Sequence, residues 1–156
     1  MIDIDIPGFC RLRLSHLVLD YNGTLAVDGN LLSGVDRIFK TLAQDIQIHV
    51  ITADTFGLAA NQLKGLPVKL TILPVEKQDD AKLDYISRLG PESVAAIGNG
   101  RNDCKMLKAA ALGIALVQKE CAAAEAMANA DIVSTDILDA LDLFRNPKRL
   151  LATLRS

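Results

Sequence analysis

Short apolar runs of strand length alternate with helical patterns along almost the whole chain, and this alternation constrains the fold more than any other feature. The runs lie at 17–19, 46–51, 68–73, 94–97, 113–117 and 132–133. Between them, Val35, Ile38, Phe39 and Leu42 fall on one helix face after Ser33, a candidate N-cap. Residues 55–63 read as a helix stopped near Gly65 and Pro67, and 81–89 as a helix turning Leu83, Ile86 and Leu89 inward. Helical spacing also covers 102–111, 122–130, 136–143 and 148–154. Strand and helix alternating at this spacing predict an α/β fold, doubly wound, with a mainly parallel sheet and helices on both faces. A length of 156 residues fits one domain spanning 1–156, on a prior of roughly 100–200 residues per domain. The strand at 2–6, ended by Pro7-Gly8, and the helix at 148–154 read as peripheral to that sheet.

Charge excludes some partners. With 17 Lys+Arg against 19 Asp+Glu the net charge is −2, so no basic surface invites nucleic acid. Arg145, Lys148, Arg149 and Arg155 cluster near the C-terminus, where a solvated helix face is the simpler reading. No run reaches the ~18 uncharged apolar residues of a membrane span. Asp3 and Asp5 interrupt the N-terminal apolar run, which is therefore no signal peptide. The three cysteines, Cys10, Cys104 and Cys121, match neither a disulfide framework nor a zinc spacing. A cytoplasmic protein without membrane partners is expected.

Ligands of such folds bind outside the carboxyl ends of the strands, so the polar residues there carry the chemistry. Asp20 follows Leu17-Val18-Leu19, Thr52 follows 46–51, and Gly98-Asn99-Gly100-Arg101-Asn102-Asp103 follows 94–97. Lys82 opens the helix before the last of these. These groups suit phosphoryl transfer. A carboxylate such as Asp20 can attack phosphorus as a covalent nucleophile. The Thr52 hydroxyl can donate to a phosphoryl oxygen, and Lys82 can offset developing negative charge. Asp103 can help hold Mg²⁺, a hard cation that prefers carboxylate and water oxygens.

The same residues resemble four motifs of the haloacid dehalogenase-like superfamily of phosphotransferases, in family order. Asp20-Tyr21-Asn22-Gly23-Thr24-Leu25 is similar to the first, D-x-D-G-T-L, and Thr52-Ala53-Asp54 to the second. Lys82, in K-x-x-Y-I-x-x-L, is similar to the third, and residues 98–103 to the fourth, G-D-G-x-N-D. The resemblance covers about residues 14–144 and runs closest to the phosphorylation domain of P-type ATPases, without the membrane spans of a transporter. It implies a Rossmann-like fold and a Mg²⁺-dependent reaction through an aspartyl-phosphate on Asp20. By the same resemblance Gly23, Thr52, Ala53 and Lys82 bind phosphate, while Asp20, the Asn22 main-chain carbonyl, Asn99 and Asp103 hold the metal. The implied substrate is a phosphorylated small molecule or a phosphoprotein.

Two positions depart from the family pattern. Asn22 replaces the acid that protonates the leaving oxygen, and Asn99 replaces a magnesium-binding Asp. An amide cannot act as general acid or base, and losing such catalysis typically costs about 10²–10⁴-fold. P-type ATPases also lack the acid at the first position. A second reading is therefore a catalytically weakened phosphate- or metal-binding module with a regulatory role.

Each residue also has a plainer reading. Asp20 suits a turn, Thr52 the N-cap of the next helix, and Asp103 the acidic first turn of its own. Lys82 could be solvated, with Lys77 as the site lysine instead. Gly98-x-Gly100 looks like half a dinucleotide fingerprint, but Asp103 stands where the third glycine belongs. His16 and His49 lie in apolar runs as structural histidines.

Neither 25–46 nor 52–82 has room for a cap domain, only for a short hairpin around Asp28-Gly29, helices and one strand. The site should lie open, or be closed by a second copy using the N-terminal strand and the C-terminal helix.

Overall fold

The computed structural model describes residues 1–54 and 57–156. In chain order the elements are β1 (Ile2–Ile6), β2 (Cys10–Leu14), β3 (His16–Asp20), β4 (Ala26–Val27), β5 (Asn30–Leu31), α1 (Val35–Leu42) and β6 (Gln47–Thr52). Then follow α2 (Leu58–Gln62), β7 (Val68–Ile72), α3 (Gln78–Leu89), β8 (Val94–Gly98), α4 (Cys104–Ala109) and β9 (Leu112–Leu116). The chain closes with α5 (Ala124–Ala128), β10 (Ile132–Ser134), α6 (Ile137–Arg145) and α7 (Pro147–Leu154). The helix expected from residue 55 is seen from Leu58, residues 55 and 56 lying outside the described residues.

Six strands form one parallel sheet in the order β10-β9-β8-β3-β6-β7. Its central strands are buried on both faces, which is why 17–19 and 94–97 read as unbroken apolar runs rather than alternating ones. Successive side chains still feed two separate cores. Leu17 and Leu19 of β3 pack with residues of α1 and α6, whereas Val18 packs with Ile86 of α3, Met106 and Leu107 of α4 and Ala126 of α5. Helices on both faces make the doubly wound fold that the alternation predicts.

The N-terminus differs from expectation. Two strands form there, because Cys10–Leu14 alternates as regularly as Ile2–Ile6 and pairs with it antiparallel around Gly8. The polar faces match, with Asp3 opposite Arg13 and Asp5 opposite Arg11. The terminal elements lie outside the six-stranded sheet, as read, yet they help fill the core beneath it. Ile2, Ile6, Leu12, Leu14 and Leu150 of α7 are buried in the same core as Leu17 and Leu19, since 156 residues leave little other apolar cover for that face. Helix α1 begins after Gly34, and Ser33 makes no cap. The expected hairpin over Asp28-Gly29 forms as β4–β5, so this stretch holds a turn and one helix, with no cap domain.

Candidate active site

Three parallel strands deliver Asp20, Thr52 and Gly98 to one edge of the sheet, as the register of β3 with β6 and β8 requires. The loop after β3 is tight: the Tyr21 carbonyl accepts from the amides of Thr24, Leu25 and Ala26, and Gly23 N–H donates to Ala26 O at 2.9 Å. Gly23 has φ 76°, and any Cβ there would collide with the Asn99 side chain, so only glycine fits. Tyr21, fully buried, donates from its hydroxyl to Gly29 O at 2.9 Å and ties this loop to the β4–β5 turn.

Lys82 is the centre of the arrangement. It lies on the buried face of α3 with Ile86, a face the sequence reading gives to Leu83, Ile86 and Leu89. Its Nζ donates to Asp20 Oδ1 at 2.7 Å and to Asp103 Oδ1 at 2.6 Å. Lys82 and Asp103 are 0% exposed and Asp20 is 8% exposed. Asp103 Oδ2 accepts from the amides of Asn99 (3.0 Å) and Gly100 (2.8 Å), and a Cβ on Gly98 would strike that carboxylate. Burial pushes the Asp20 carboxyl far above the usual carboxylate range; the Asp103 charge pushes the same way and Lys82 opposes both. For Lys82, burial works to lower the pKa, but Asp20 and Asp103 outweigh it and the net shift is upward. Lys77, by contrast, is exposed at the start of α3.

Above this buried triad opens a cleft of about 560 Å³, whose walls include Asp20, Asn22, Thr52, Ala53, Asp54, Asn99 and Glu120. Thr52 does not cap α2. Asp54 does, accepting from Ala59 N (2.9 Å) and Ala60 N (3.2 Å), while Thr52 Oγ1 accepts from Asp54 N at 3.3 Å. Among the described residues the Thr52 hydroxyl proton has no acceptor, which leaves it available to the cleft.

Two expected roles fit the geometry poorly. Asp103 is beneath the cleft wall with both oxygens engaged, which suits it to holding Lys82 rather than a cation. Gly23 has its N–H committed to Ala26, so it shapes the loop instead of offering that N–H to phosphate. For a divalent cation, the cleft wall could offer oxygens of Asp20, Asn22 and Asn99. These are hard oxygens carrying one formal charge, which suits Mg²⁺ with water and substrate oxygens completing its shell.

Other contacts had no part in the sequence reading. Asn99 Nδ2 donates to Cys121 O at 3.0 Å, and Gln118 reaches from the end of β9 to the loop after Asp20. A signal for Gln118 existed, since it is the polar residue just past the 113–117 run.

Comparison with known proteins bears on the fold that carries this site. The family described as haloacid dehalogenase-like hydrolase matches residues 81–139. An uncharacterised protein of Methanocaldococcus jannaschii is 46% identical over 79 residues, covering 48% of this chain and 85% of that protein. A cadmium/zinc-transporting ATPase of Arabidopsis thaliana is 27% identical over 95% of this chain, which spans only 16% of the transporter's length. Among solved structures, the cobalt-bound deoxy-D-mannose-octulosonate 8-phosphate phosphatase of Haemophilus influenzae superposes with TM-score 0.72 at 16% identity, covering 92% of this chain and 94% of that one. The 3-deoxy-D-manno-octulosonate 8-phosphate phosphatase of Moraxella catarrhalis, in complex with magnesium, phosphate and a KDO molecule, gives 0.70 at 17% identity, covering 91% and 94%. The catalytic domain of a CPx-ATPase gives 0.58 at 24% identity, covering 71% and 44%. These structural likenesses show a shared fold, and no helix among the described residues is long and apolar enough to cross a membrane. Residues 81–139 thus match the haloacid dehalogenase-like hydrolase family, and the chain as a whole carries the fold of the solved haloacid dehalogenase-type phosphatases.

Proposed function

We propose that this protein transfers phosphoryl groups through an aspartyl-phosphate on Asp20. The observation that carries the reading is the buried bridge of Lys82 between Asp20 and Asp103, directly under an open cleft walled by Thr52. Lys82 holds Oδ1 of Asp20, leaving Oδ2 to form a new bond to phosphorus as the bond from phosphorus to the substrate's leaving oxygen breaks; that oxygen departs with the electron pair and takes its proton from water. The fixed ammonium then offsets the charge that the phosphoryl group brings into a site of low dielectric. Thr52 donates its hydroxyl proton to a phosphoryl oxygen, with Ala53 beside it on the cleft wall. Asp103 keeps Lys82 in place and protonated.

Mg²⁺ is the cation that this donor set suits, held by Asp20, the Asn22 carbonyl and Asn99, and when bound it would neutralise phosphoryl oxygens as a Lewis acid. The magnesium and cobalt in the two phosphatase structures support a divalent ion here. Those relatives also favour a phosphorylated small molecule over a phosphoprotein as substrate. The cleft is open in one copy of the chain. A second copy could close it only over the loops after Asp20 and Asn99, because β1, β2 and α7 are already packed together.

The test is to incubate the protein with acetyl phosphate and p-nitrophenyl phosphate, with and without Mg²⁺. Turnover and a phosphoryl adduct, both abolished in Asp20→Asn, are expected. A second reading, the weakened phosphate- or metal-binding module, is favoured by Asn99, whose amide is occupied with Cys121. Phosphate binding without turnover on any phosphoester would select it.

A further inference from the structure

Gln118 uses its whole amide on three main-chain groups from two distant parts of the fold. Its Nε2 donates to Thr24 O at 3.0 Å and to Gly23 O at 3.4 Å, both in the loop that follows Asp20. Its Oε1 accepts from Ile137 N–H at 2.9 Å, at the start of α6. The orientation is fixed, since carbonyls can only accept and a backbone N–H can only donate. Asp136 already serves the next two amides of α6, Leu138 N at 2.7 Å and Asp139 N at 3.2 Å. Ile137 N–H is the amide of that first turn which Gln118 serves instead.

A second set of contacts, through Asn99, joins the turn that follows Gln118 to the same loop. Asn99 Nδ2 donates to Cys121 O, Ala123 N donates to Asn99 O at 2.9 Å, and Thr24 Oγ1 donates to Asn99 Oδ1 at 3.4 Å. The turn at 118–121 is thereby fastened to the loop that carries Asn22, and Glu120 on that turn forms part of the cleft wall.

We infer that Gln118 is a positioning residue for the phosphoryl-transfer site: it sets the path of residues 22–24 and so fixes where the Asn22 carbonyl, a metal ligand in the function proposed above, and the backbone beside Asp20 lie. The inference rests on the reading of Asp20 as nucleophile for its catalytic consequence, but not for its structural one. Two of the three amide contacts of Gln118 go to loop carbonyls that a rigid helix start has no need of. A purely structural residue would serve α6 alone.

Gln118→Glu separates the two jobs. Its carboxylate still accepts from Ile137 N–H but faces two carbonyls that it repels. Asp136→Ala is the converse variant, loosening the start of α6 without touching the loop. In Gln118→Glu, amide hydrogen exchange at residues 22–26 should quicken by about tenfold. Phosphorylation of Asp20 by acetyl phosphate should slow by at least about tenfold, chiefly in kcat rather than KM. Gln118→Asn, which keeps the donor on a shorter arm, should recover part of the rate. Asp136→Ala should lower the melting temperature and leave both loop exchange and phosphorylation at their wild-type values. Wild-type exchange at 22–26 in Gln118→Glu would overturn the inference, as would equal effects in Gln118→Glu and Asp136→Ala. A wild-type protein that accepts no phosphoryl group would overturn the reading of Asp20, while the exchange experiment would still decide whether Gln118 holds the loop.

Discussion

Lys82 Nζ and Asp20 Oδ1 are 2.7 Å apart although 62 residues separate them in the chain. With Asp103 on its other side, the ammonium is the only counter-charge within hydrogen-bond reach of two buried carboxylates among the described residues. Removing one partner of a buried ion pair leaves an uncompensated charge and typically costs about 3–5 kcal/mol. Lys82→Met should lose stability on that scale in urea unfolding and lose phosphoryl transfer with it. Adding Asp103→Asn should restore much of the stability and none of the activity. A single variant as stable as wild type would contradict the buried triad.

Asn99→Asp adds a charge to the metal donor set and removes the amide proton that Asn99 gives to Cys121 O. Mg²⁺ affinity measured by calorimetry should rise by about tenfold. The melting temperature should fall, because a lost hydrogen bond of this kind is worth about 1 kcal/mol. Unchanged Mg²⁺ affinity would show that Asn99 is not a ligand.

Asn22 is exposed in the cleft and follows Asp20 by two residues. Asn22→Asp supplies a proton donor for the leaving oxygen. Turnover of alkyl phosphates should rise by about 10²–10⁴-fold. Acetyl phosphate, whose carboxylate departs without needing a proton, should gain far less. Equal gains on both substrates would rule out leaving-group protonation as the missing function.

His49 is 3% exposed, with Nε2 3.1 Å from His16 Nδ1 and Nδ1 2.9 Å from the Tyr85 hydroxyl. Burial first, then the His16 and Lys69 charges, depress its pKa from 6.5 to about 4. Between those pH values the unfolded chain binds a proton here that the folded chain refuses. The stabilisation is therefore fully present above about pH 6.5 and declines as pH falls, by roughly 3 kcal/mol at pH 4. In urea melts from pH 7 to 4, His49→Gln should show a shallower decline than wild type. Parallel curves would refute the assignment.

The α/β alternation was legible because strands buried on both faces must be apolar throughout, and 17–19 and 94–97 are. The β4–β5 turn was legible because Asp28 and Gly29 both take positive φ, 50° and 78°, as a two-residue hairpin requires. The second N-terminal strand was equally readable in Cys-Arg-Leu-Arg-Leu and required only that the alternation be followed past Gly8. Ser33 misled because a hydroxyl before an apolar helix face marks a cap statistically, whereas the chain turns into α1 through Gly34.

By itself the sequence determined the order of elements and the identity of the groups at the sheet edge, since both are local: periodicity sets the element, and the polar residue after each apolar run sets what it delivers. The tertiary structure decided which groups meet. Choosing Lys82 over Lys77 needed the packing of α3 against β3 and β8, because both lysines lie near the start of one helix and only burial separates them. Pairing Asp103 with Lys82 needed the direction of its carboxylate, fixed by two amides of its own turn. The cap of α2 passed from Thr52 to Asp54, and the loop after Asp20 came to rest on Gln118, 94 residues from Thr24. Hydrogen bonds over that span depend on where strands lie side by side, which no local pattern encodes.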